Sequence, residues 1–274
     1  MSYKRLLVHV DNARSCAQRI ACAAELTARF GGQLEGLHVI PSVRFSYMAD
    51  GALSTQAVDA YLDAMRNEAR EAEHKFEAGT GSAGVPCTYR SVEGEIAECL
   101  SAAARYADLG IVGQHDDGDE RSMPAGTVES VVLAAGTPLL VVPYIGAPAG
   151  VGRRVLVAWS GTRESARAVR DALPILTAAE AVDVLGVSNG AGSVQAAVDG
   201  ACVYLDAHGV RATPHHASAG DVEVGDLLLS RVVDLGADLL VMGAYGHSRM
   251  RELILGGVTR TLLGEMTVPV LMSH

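Results

Sequence analysis

The sequence contains two copies of one unit. Residues 5–14, RLLVHVDNAR, align with residues 154–163, RVLVAWSGTR, and residues 107–113, ADLGIVG, align later with residues 237–243, ADLLVMG. The second alignment needs a smaller shift than the first, which indicates that the first copy carries extra residues in its middle. A chain of 274 residues is also long enough for two domains. We therefore predict one domain over residues 1–146 and a second over residues 152–274.

Each copy alternates apolar strands with helices. In the first copy we predict strands at 6–10, 34–40, 87–92, 109–112 and 139–142, and helices at 15–30, 56–77, 95–106 and before 139. This alternation is typical of a doubly wound parallel sheet. Such sheets bind ligands at the carboxyl ends of their strands, where the strand order reverses. The predicted fold class is therefore α/β, with two tandem doubly wound, Rossmann-like domains.

The clearest functional motif lies near the end of the second copy. The apolar residues 239–242 run into Gly243 and Gly246, and Gly256 and Gly257 precede an apolar helical repeat. Glycine tolerates positive φ and lets a ligand approach the backbone, and amides at the start of a helix attract anions. The spacing predicts a phosphate-binding loop. The alternative is that these glycines only turn the chain and start a helix, because short glycine patterns are common by chance.

This stretch resembles the universal stress protein family, whose signature is GxxG, nine residues, and then G followed by Ser or Thr. Gly243, Gly246 and Gly256 match that signature, whereas Gly257 stands where the hydroxyl residue is usual and Thr259 offers a hydroxyl two positions later. The resemblance implies an adenine nucleotide α-hydrolase-like fold. It also implies a bound adenine nucleotide, ATP first with ADP or AMP as alternatives, with or without Mg²⁺.

The resemblance further implies which residues line the nucleotide site of the second copy. The family places adenine at the ends of the first, second and fourth strands and phosphate on the glycine loop. The implied residues are Ala158, Trp159, Ser160, Val187, Met242, Gly243, Ala244, Gly246, His247, Gly256, Gly257, Val258 and Thr259. Ser160 replaces the usual aspartate, and Trp159 either packs against the base or belongs to the core. His247 either contacts phosphate or is simply solvated.

The first copy departs from the family pattern at a different point. It keeps Asp11 after the first strand and the pair Gly126-Thr127, but Asp116 replaces the second glycine of the loop. A carboxylate in a phosphate cradle repels phosphate unless a bound cation changes the balance. We therefore expect only a weaker site there. Its residues would be Asp11, Val39, Gly113, Gly126 and Thr127.

The resemblance also implies how the two copies associate. In the family the last strand commonly pairs with its counterpart in a second subunit, so residues 139–142 and 270–272 are expected to pair within this chain as an intrachain pseudo-dimer. A homodimer of the whole chain is a further expectation. Residues 42–84 are the extra part of the first copy, and they form either a lid or partner surface or a helical excursion packed on their own domain.

Composition disfavours several other classes of protein. A net charge of −10 and a pI near 5.3 disfavour nucleic acid and anionic lipid as partners. No run of about 18 apolar residues predicts a membrane span, and the charged start lacks the apolar region of a signal peptide. Five cysteines without a CxxC pair are typical of reduced thiols in the cytoplasm. The adjacent His215 and His216 would point to opposite faces of a strand, so no metal site is predicted.

Three functions remain open from the sequence. The first is a stress-response regulator whose state depends on a bound adenine nucleotide, mainly in the second copy. The second is a nucleotide-free interaction scaffold in which both sites have decayed, as Asp116 and Ser160 suggest. The third is a slow ATPase. Neither a GxxxxGK(S/T) loop nor a GxSxG nucleophile elbow occurs, so no catalytic residue is predicted.

Overall fold

A computed structural model shows a single sheet that runs through both halves of the chain, with helices on its two faces. The structure describes residues 2–42, 55–188, 194–220, 222–246 and 257–274. The strands are β1 (Arg5–His9), β2 (Gln33–Pro41), β3 (Cys87–Gly94), β4 (Leu109–Gly113), β5 (Leu139–Val142), β6 (Arg154–Ala158), β7 (Ala181–Ser188), β8 (Ala212–Ser218), β9 (Leu239–Gly243) and β10 (Val270–Ser273). The helices are α1 (Cys16–Phe30), α2 (Thr55–Gly81), α3 (Ile96–Ala104), α4 (Thr127–Ala135), α5 (Arg163–Leu176), α6 (Val194–Ala207), α7 (Val224–Asp234) and α8 (Gly257–Glu265).

The strand order of the first half recurs in the second half, read in the opposite direction across the sheet. It runs β3-β2-β1-β4-β5-β10-β9-β6-β7-β8, and the pairs within each half are parallel. The direction of winding reverses between β1 and β4 in the first half and between β6 and β9 in the second. These observations confirm the predicted fold class. In open α/β sheets, ligands generally bind in the crevice outside the carboxyl ends of such strand pairs.

Strands β5 and β10 join the two halves. They pair antiparallel, with Val141 opposite Val270 and Leu140 opposite Leu271, and all four side chains are buried. The expected pairing of these strands within the chain is therefore present. Leu140 and Leu271 also belong to a buried cluster with side chains from both halves, so the hydrophobic core continues across the joint.

The extra length of the first copy lies partly in α2. This helix has 27 residues, whereas α6 at the same place in the second half has 14. Ala72 and Phe76 are buried, and α2 packs against α1 and β2. This part of the excursion packs on its own half, as one of the two alternatives predicted. Residues 43–54, where a lid was the other alternative, lie outside the described residues.

The connection between the halves is attached to both of them. The Gly150 amide donates to Glu25 Oε2 over 3.1 Å, and the Gly152 amide donates to Asp238 Oδ1 over 2.6 Å. Glu25 lies on α1 and Asp238 directly precedes β9, so these two bonds fix the path of the linker. In the described part of the chain, no helix combines the length and the apolar character needed to cross a membrane.

Candidate functional site

The carboxyl ends of β6, β7 and β9 bring several of the predicted residues together. Ala158 lies beside Met242 on the neighbouring strand, and the Trp159 amide donates to the Leu185 carbonyl of β7 over 2.8 Å. Val187 lies two residues further along β7 and is half-buried. The predicted adenine-lining residues thus share one edge of the sheet.

The two halves differ in how far this edge is open to solvent. In the first half, Val10 and Asp11 follow β1 and are 0% and 8% exposed. In the second half, the aligned residues Trp159 and Ser160 are half-buried and exposed, respectively. Because these positions are equivalent in the repeat, the described residues leave the first crevice closed where the second is open.

Arg19 closes the first crevice. This α1 residue is 1% exposed, and its Nη2 lies 2.7 Å from Asp11 Oδ1 while its Nε donates to the His9 carbonyl over 2.9 Å. A Cβ atom on Gly113 would lie only 2.1 Å from Arg19 Nη1. The space beside the first glycine of this loop is therefore filled by the chain's own guanidinium.

The opposite charges of Arg19 and Asp11 balance each other in the first crevice. Burial alone would raise the pKa of Asp11, but the Arg19 guanidinium holds that pKa below its ordinary value. Burial lowers the pKa of the neighbouring His9 to about 4, so His9 is neutral at neutral pH. Asp11 is therefore committed to an internal ion pair.

The acidic loop of the first half also binds its own backbone. The Asp119 carboxylate is buried and accepts from the Arg14 amide over 2.7 Å and from the Arg121 amide over 3.2 Å. The Arg14 N–H lowers the pKa of Asp119. Asp116 Oδ1 accepts from the Gly118 amide over 2.9 Å. The Arg14 amide, just before α1, therefore already donates to the Asp119 carboxylate. It is not free to donate to an external anion.

The remaining predicted residues of the first half lie around this closed crevice. Val39 is buried on β2, and Gly113 ends β4. Gly126 adopts a left-handed φ of +81° directly before α4, and Thr127 is the buried first residue of that helix. Glycine is needed at Gly126 because this conformation is unfavourable for other residues.

The second half lacks the arginine that fills the first crevice. Ala168, buried on α5, stands at the position that the repeat aligns with Arg19. Ser160 Oγ lies 3.0 Å from Thr162 Oγ1, and Thr162 caps α5 by accepting from the Ser165 amide. A small apolar side chain and a hydroxyl pair therefore replace the buried ion pair of the first half.

Gly243 and Gly246 are not used for a left-handed backbone turn. Neither glycine has a left-handed φ; the residue with φ of +62° is Tyr245, between them. A Cβ on Gly243 would lie 2.4 Å from backbone atoms of Glu164 and Ser165, and one on Gly246 would lie 2.7 Å from Thr162 Oγ1. These glycines are required because the start of α5 packs directly against the end of β9.

Tyr245 and Ala244 connect this loop to its surroundings. Ala244 is fully buried, and its carbonyl lies 3.1 Å from His274 Nδ1. The Tyr245 ring stands edge-on to the His274 ring at 6.0 Å. Burial raises the pKa of Tyr245, and among the described residues its hydroxyl has no hydrogen-bond partner.

The first turn of α8 forms the other part of the predicted phosphate cradle. Gly257 is exposed, and no described atom lies within 4 Å of a Cβ built there. Val258 is half-buried and Thr259 is buried. His247 and Gly256 lie outside the described residues, as does the rest of residues 247–256 that connects this turn to Gly246.

Two charged residues near the crevices were not predicted from the sequence. They are Arg19 in the first half and Glu164, which is 4% exposed on α5 and pairs with Arg163. The repeat alignment contained the signal, because it places Arg19 opposite Ala168 and Ser15 opposite Glu164. Over the described ranges, no group of three or more His, Cys, Asp or Glu side chains could hold a metal ion.

Comparisons with known proteins agree with this architecture. The Universal stress protein family model matches residues 2–143 and 152–274. Universal stress protein Slr1230 of Synechocystis is 50% identical over 38 residues, a segment that spans 14% of this chain and 13% of that protein.

Two solved structures show the same fold over nearly the whole chain. A universal stress protein from Archaeoglobus fulgidus DSM 4304 superposes with a TM-score of 0.77 at 17% identity, covering 98% of this chain and 97% of its own. Protein PA1789 from Pseudomonas aeruginosa PAO1 gives 0.62 at 13% identity, with coverages of 99% and 92%. Since the family model accounts for both halves, the chain belongs to the universal stress protein family and carries that domain twice.

Proposed function

We propose that the second half binds an adenine nucleotide and that the chain acts in stress response as a nucleotide-dependent regulator. ATP is the first candidate, ADP and AMP are the alternatives, and Mg²⁺ would accompany the phosphates. The observation that carries the proposal is the contrast between the two equivalent crevices. Trp159 and Ser160 leave the second crevice open to solvent, whereas Arg19 fills the first.

The residues of the second half suit the parts of such a ligand. Ala158, Val187 and Met242 offer an apolar edge for a base, and Ser160 offers an exposed hydroxyl for ribose. Trp159 packs against the core, and its buried Nε1 has no hydrogen-bond partner among the described residues.

The phosphates would lie on the glycine loop and on α8. This assignment uses the amide of Gly246, with Gly243 and Ala244 before it, and the first turn of α8, with Gly257, Val258 and Thr259. The Ala244 amide itself already donates to the Ser273 carbonyl over 2.8 Å. The described residues leave space beside Gly257, and the positive end of the helix dipole favours an anion there. His247 and Gly256 belong to the same proposed cradle.

We expect the first half to bind nucleotide weakly or not at all. Its Asp11 is paired with Arg19, and its Asp119 already accepts from the Arg14 amide. Opening this site would leave a buried carboxylate without its cation, which is strongly unfavourable. The expected stoichiometry is therefore one nucleotide per chain.

The first experiment is to purify the protein without added nucleotide, denature it and identify the released small molecule by chromatography and mass. About one adenine nucleotide per chain would support the proposal, and its identity would separate ATP from ADP and AMP. A protein that releases none is then titrated with Mg-ATP, and absence of binding overturns the proposal.

A pair of variants locates the site. Gly257→Asp adds a carboxylate at the start of α8, and Gly264→Asp adds one near the end of the same helix; both positions are exposed and face open space. We expect Gly257→Asp to weaken Mg-ATP binding at least about tenfold through charge repulsion. Gly264→Asp should leave it unchanged. Equal effects of the two variants would contradict the proposed position.

One observation favours the alternative of a nucleotide-free interaction scaffold. The buried carboxylate of Glu164 lies beside Gly246, where it disfavours phosphate. A turnover assay on wild type and Gly257→Asp tests the remaining alternative, slow ATP hydrolysis.

We also propose that the chain works in the cytoplasm, where its five free cysteines would stay reduced, and that homodimers form there.

A further inference from the structure

Glu164 brings a carboxylate against the glycine loop of the second half. Its side chain is 5% exposed. A Cβ on Gly246 would lie 3.0 Å from Glu164 Oε2, and one on Gly243 would lie 2.8 Å from Glu164 Cβ. Gly246 therefore faces the carboxylate, whereas Gly243 faces the backbone and Cβ of Glu164. An anion held at the Gly246 amide would lie close to the charge of Glu164.

The carboxylate of Glu164 is ionised at neutral pH. Burial alone would raise the pKa of Glu164, but hydrogen bonds from Arg163, the backbone and Thr162 hold it below its ordinary value. Arg163 contacts Oε1, whereas Oε2 faces Gly246. The Arg163 side chain is 80% exposed, so water screens its charge and it neutralises the carboxylate only in part.

We propose that Glu164 determines how much phosphate charge the second half accepts. This inference rests on the proposed nucleotide site. Each added phosphate brings further negative charge toward a fixed carboxylate, and like charges at such distances repel strongly in a partly buried site. A divalent cation on the phosphates relieves that repulsion. Adenosine carries no phosphate, so the ratio of adenosine affinity to metal-free ATP affinity is the quantity that Glu164 controls.

The test compares adenosine, AMP, ADP and ATP by titration calorimetry in the presence of a chelator. Glu164→Gln keeps the size of the side chain and removes its charge. We expect this variant to bind metal-free ATP about tenfold or more tightly than wild type does, with smaller gains for ADP and AMP, because each tenfold needs only about 1.4 kcal/mol. Adenosine affinity should change by less than about twofold.

A matched control separates this effect from net charge. Glu265→Gln removes one carboxylate from the exposed end of α8 in the same half, and it should leave the adenosine-to-ATP ratio unchanged. Circular dichroism verifies that both variants are folded. If Glu164→Gln does not fold, Arg163→Gln provides the second test, since loss of this exposed partner should lower metal-free ATP affinity and spare adenosine.

The outcomes distinguish this inference from the proposed function. If all ligands bind but Glu164→Gln leaves the adenosine-to-ATP ratio unchanged, the role assigned to Glu164 is wrong and the nucleotide site stands. The same conclusion follows if Arg163→Gln, used in its place, leaves the ratio unchanged. If neither adenosine nor any nucleotide binds wild type or a folded variant, with or without Mg²⁺, the proposed site itself is overturned.

Discussion

Arg19 and Asp11 form an ion pair in the interior of the first half, where both side chains are largely shielded from water. Both residues are buried, and the Asp11 carboxylate also accepts from the Ala13 amide over 3.0 Å. Removing ions from water is costly, so such a pair is tolerated only while both partners are present. We therefore expect a single substitution in this pair to lower the free energy of unfolding strongly, and removal of both charges to lower it much less.

We predict that Arg19→Met lowers the free energy of unfolding by about 3–5 kcal/mol, because it leaves the Asp11 carboxylate buried and unpaired. Chemical denaturation at neutral pH measures this loss. The double variant Asp11→Asn with Arg19→Met should lose less than Arg19→Met alone, since no uncompensated charge remains.

The exposed pair of Arg66 with Asp63 is the control for that substitution. Its side chains are 69% exposed, and surface pairs contribute at most about 1 kcal/mol. Arg66→Met should therefore change stability by less than about 1 kcal/mol. A similarly small loss for Arg19→Met would show that the buried pair is not needed to keep the first crevice closed.

The residues that sequence reasoning missed are those whose role depends on tertiary contacts. Arg19 lies one position before the buried Ile20 on α1, and a helical pattern alone gives no partner for an arginine at such a position. Asp11 was assigned to a nucleotide through resemblance, yet its nearest cation comes from the same chain. Only the packing of α1 against the end of β4 brings Arg19, Asp11 and Gly113 together.

At the scale of elements, the glycines that end β9 control how closely α5 approaches the sheet. Gly243 leaves no room for a side chain, because backbone atoms of α5 occupy the space. The sequence correctly predicted the strand that ends at Gly243 and the helix that follows Gly256. It could not show that Gly243 is used for packing, since tight turns, ligand contacts and close helix packing all call for the same residue type.

We predict that Gly243→Ala lowers the free energy of unfolding by about 1–3 kcal/mol or more, because overpacking against backbone forces α5 to move. Urea denaturation measures the loss. The displacement should also weaken any ligand bound at the end of β9.

Gly264→Ala is the matched control, since Gly264 lies in α8 with open space around it. Alanine in place of a helical glycine should raise stability by about 0.5–1 kcal/mol. If Gly243→Ala were equally harmless, the close contact between α5 and β9 would not exist in solution.

At the scale of the whole molecule, the antiparallel joint of β5 and β10 makes one sheet from two repeats. The fold class of each half followed from the alternation of strands and helices, and the joint followed from the family resemblance. The continuity of the core did not follow from either, because it depends on which side chains meet across the joint. Leu140 and Leu271 share a buried cluster with Ile20 of α1 and Val184 of β7, which connects helices and strands of both halves.

A continuous core predicts that both halves unfold together. Trp159 is the single tryptophan of the chain and lies in the second half, so its fluorescence reports on that half. Ile20 is fully buried in the first half, and Ile20→Ala should cost about 2–5 kcal/mol through the cavity it leaves. We expect this substitution to shift the Trp159 fluorescence transition and the circular dichroism transition in urea by the same amount.

The control for this prediction is Val203→Ala, because Val203 is 71% exposed on α6 and should shift neither transition. A Trp159 transition that stays in place while the circular dichroism signal splits into two steps would mean that the halves unfold independently. In that case nucleotide bound to the second half could not stabilise the first. Coincident transitions would instead mean that a ligand at the open crevice stabilises the entire sheet by mass action, so that occupancy of one half is communicated to the other.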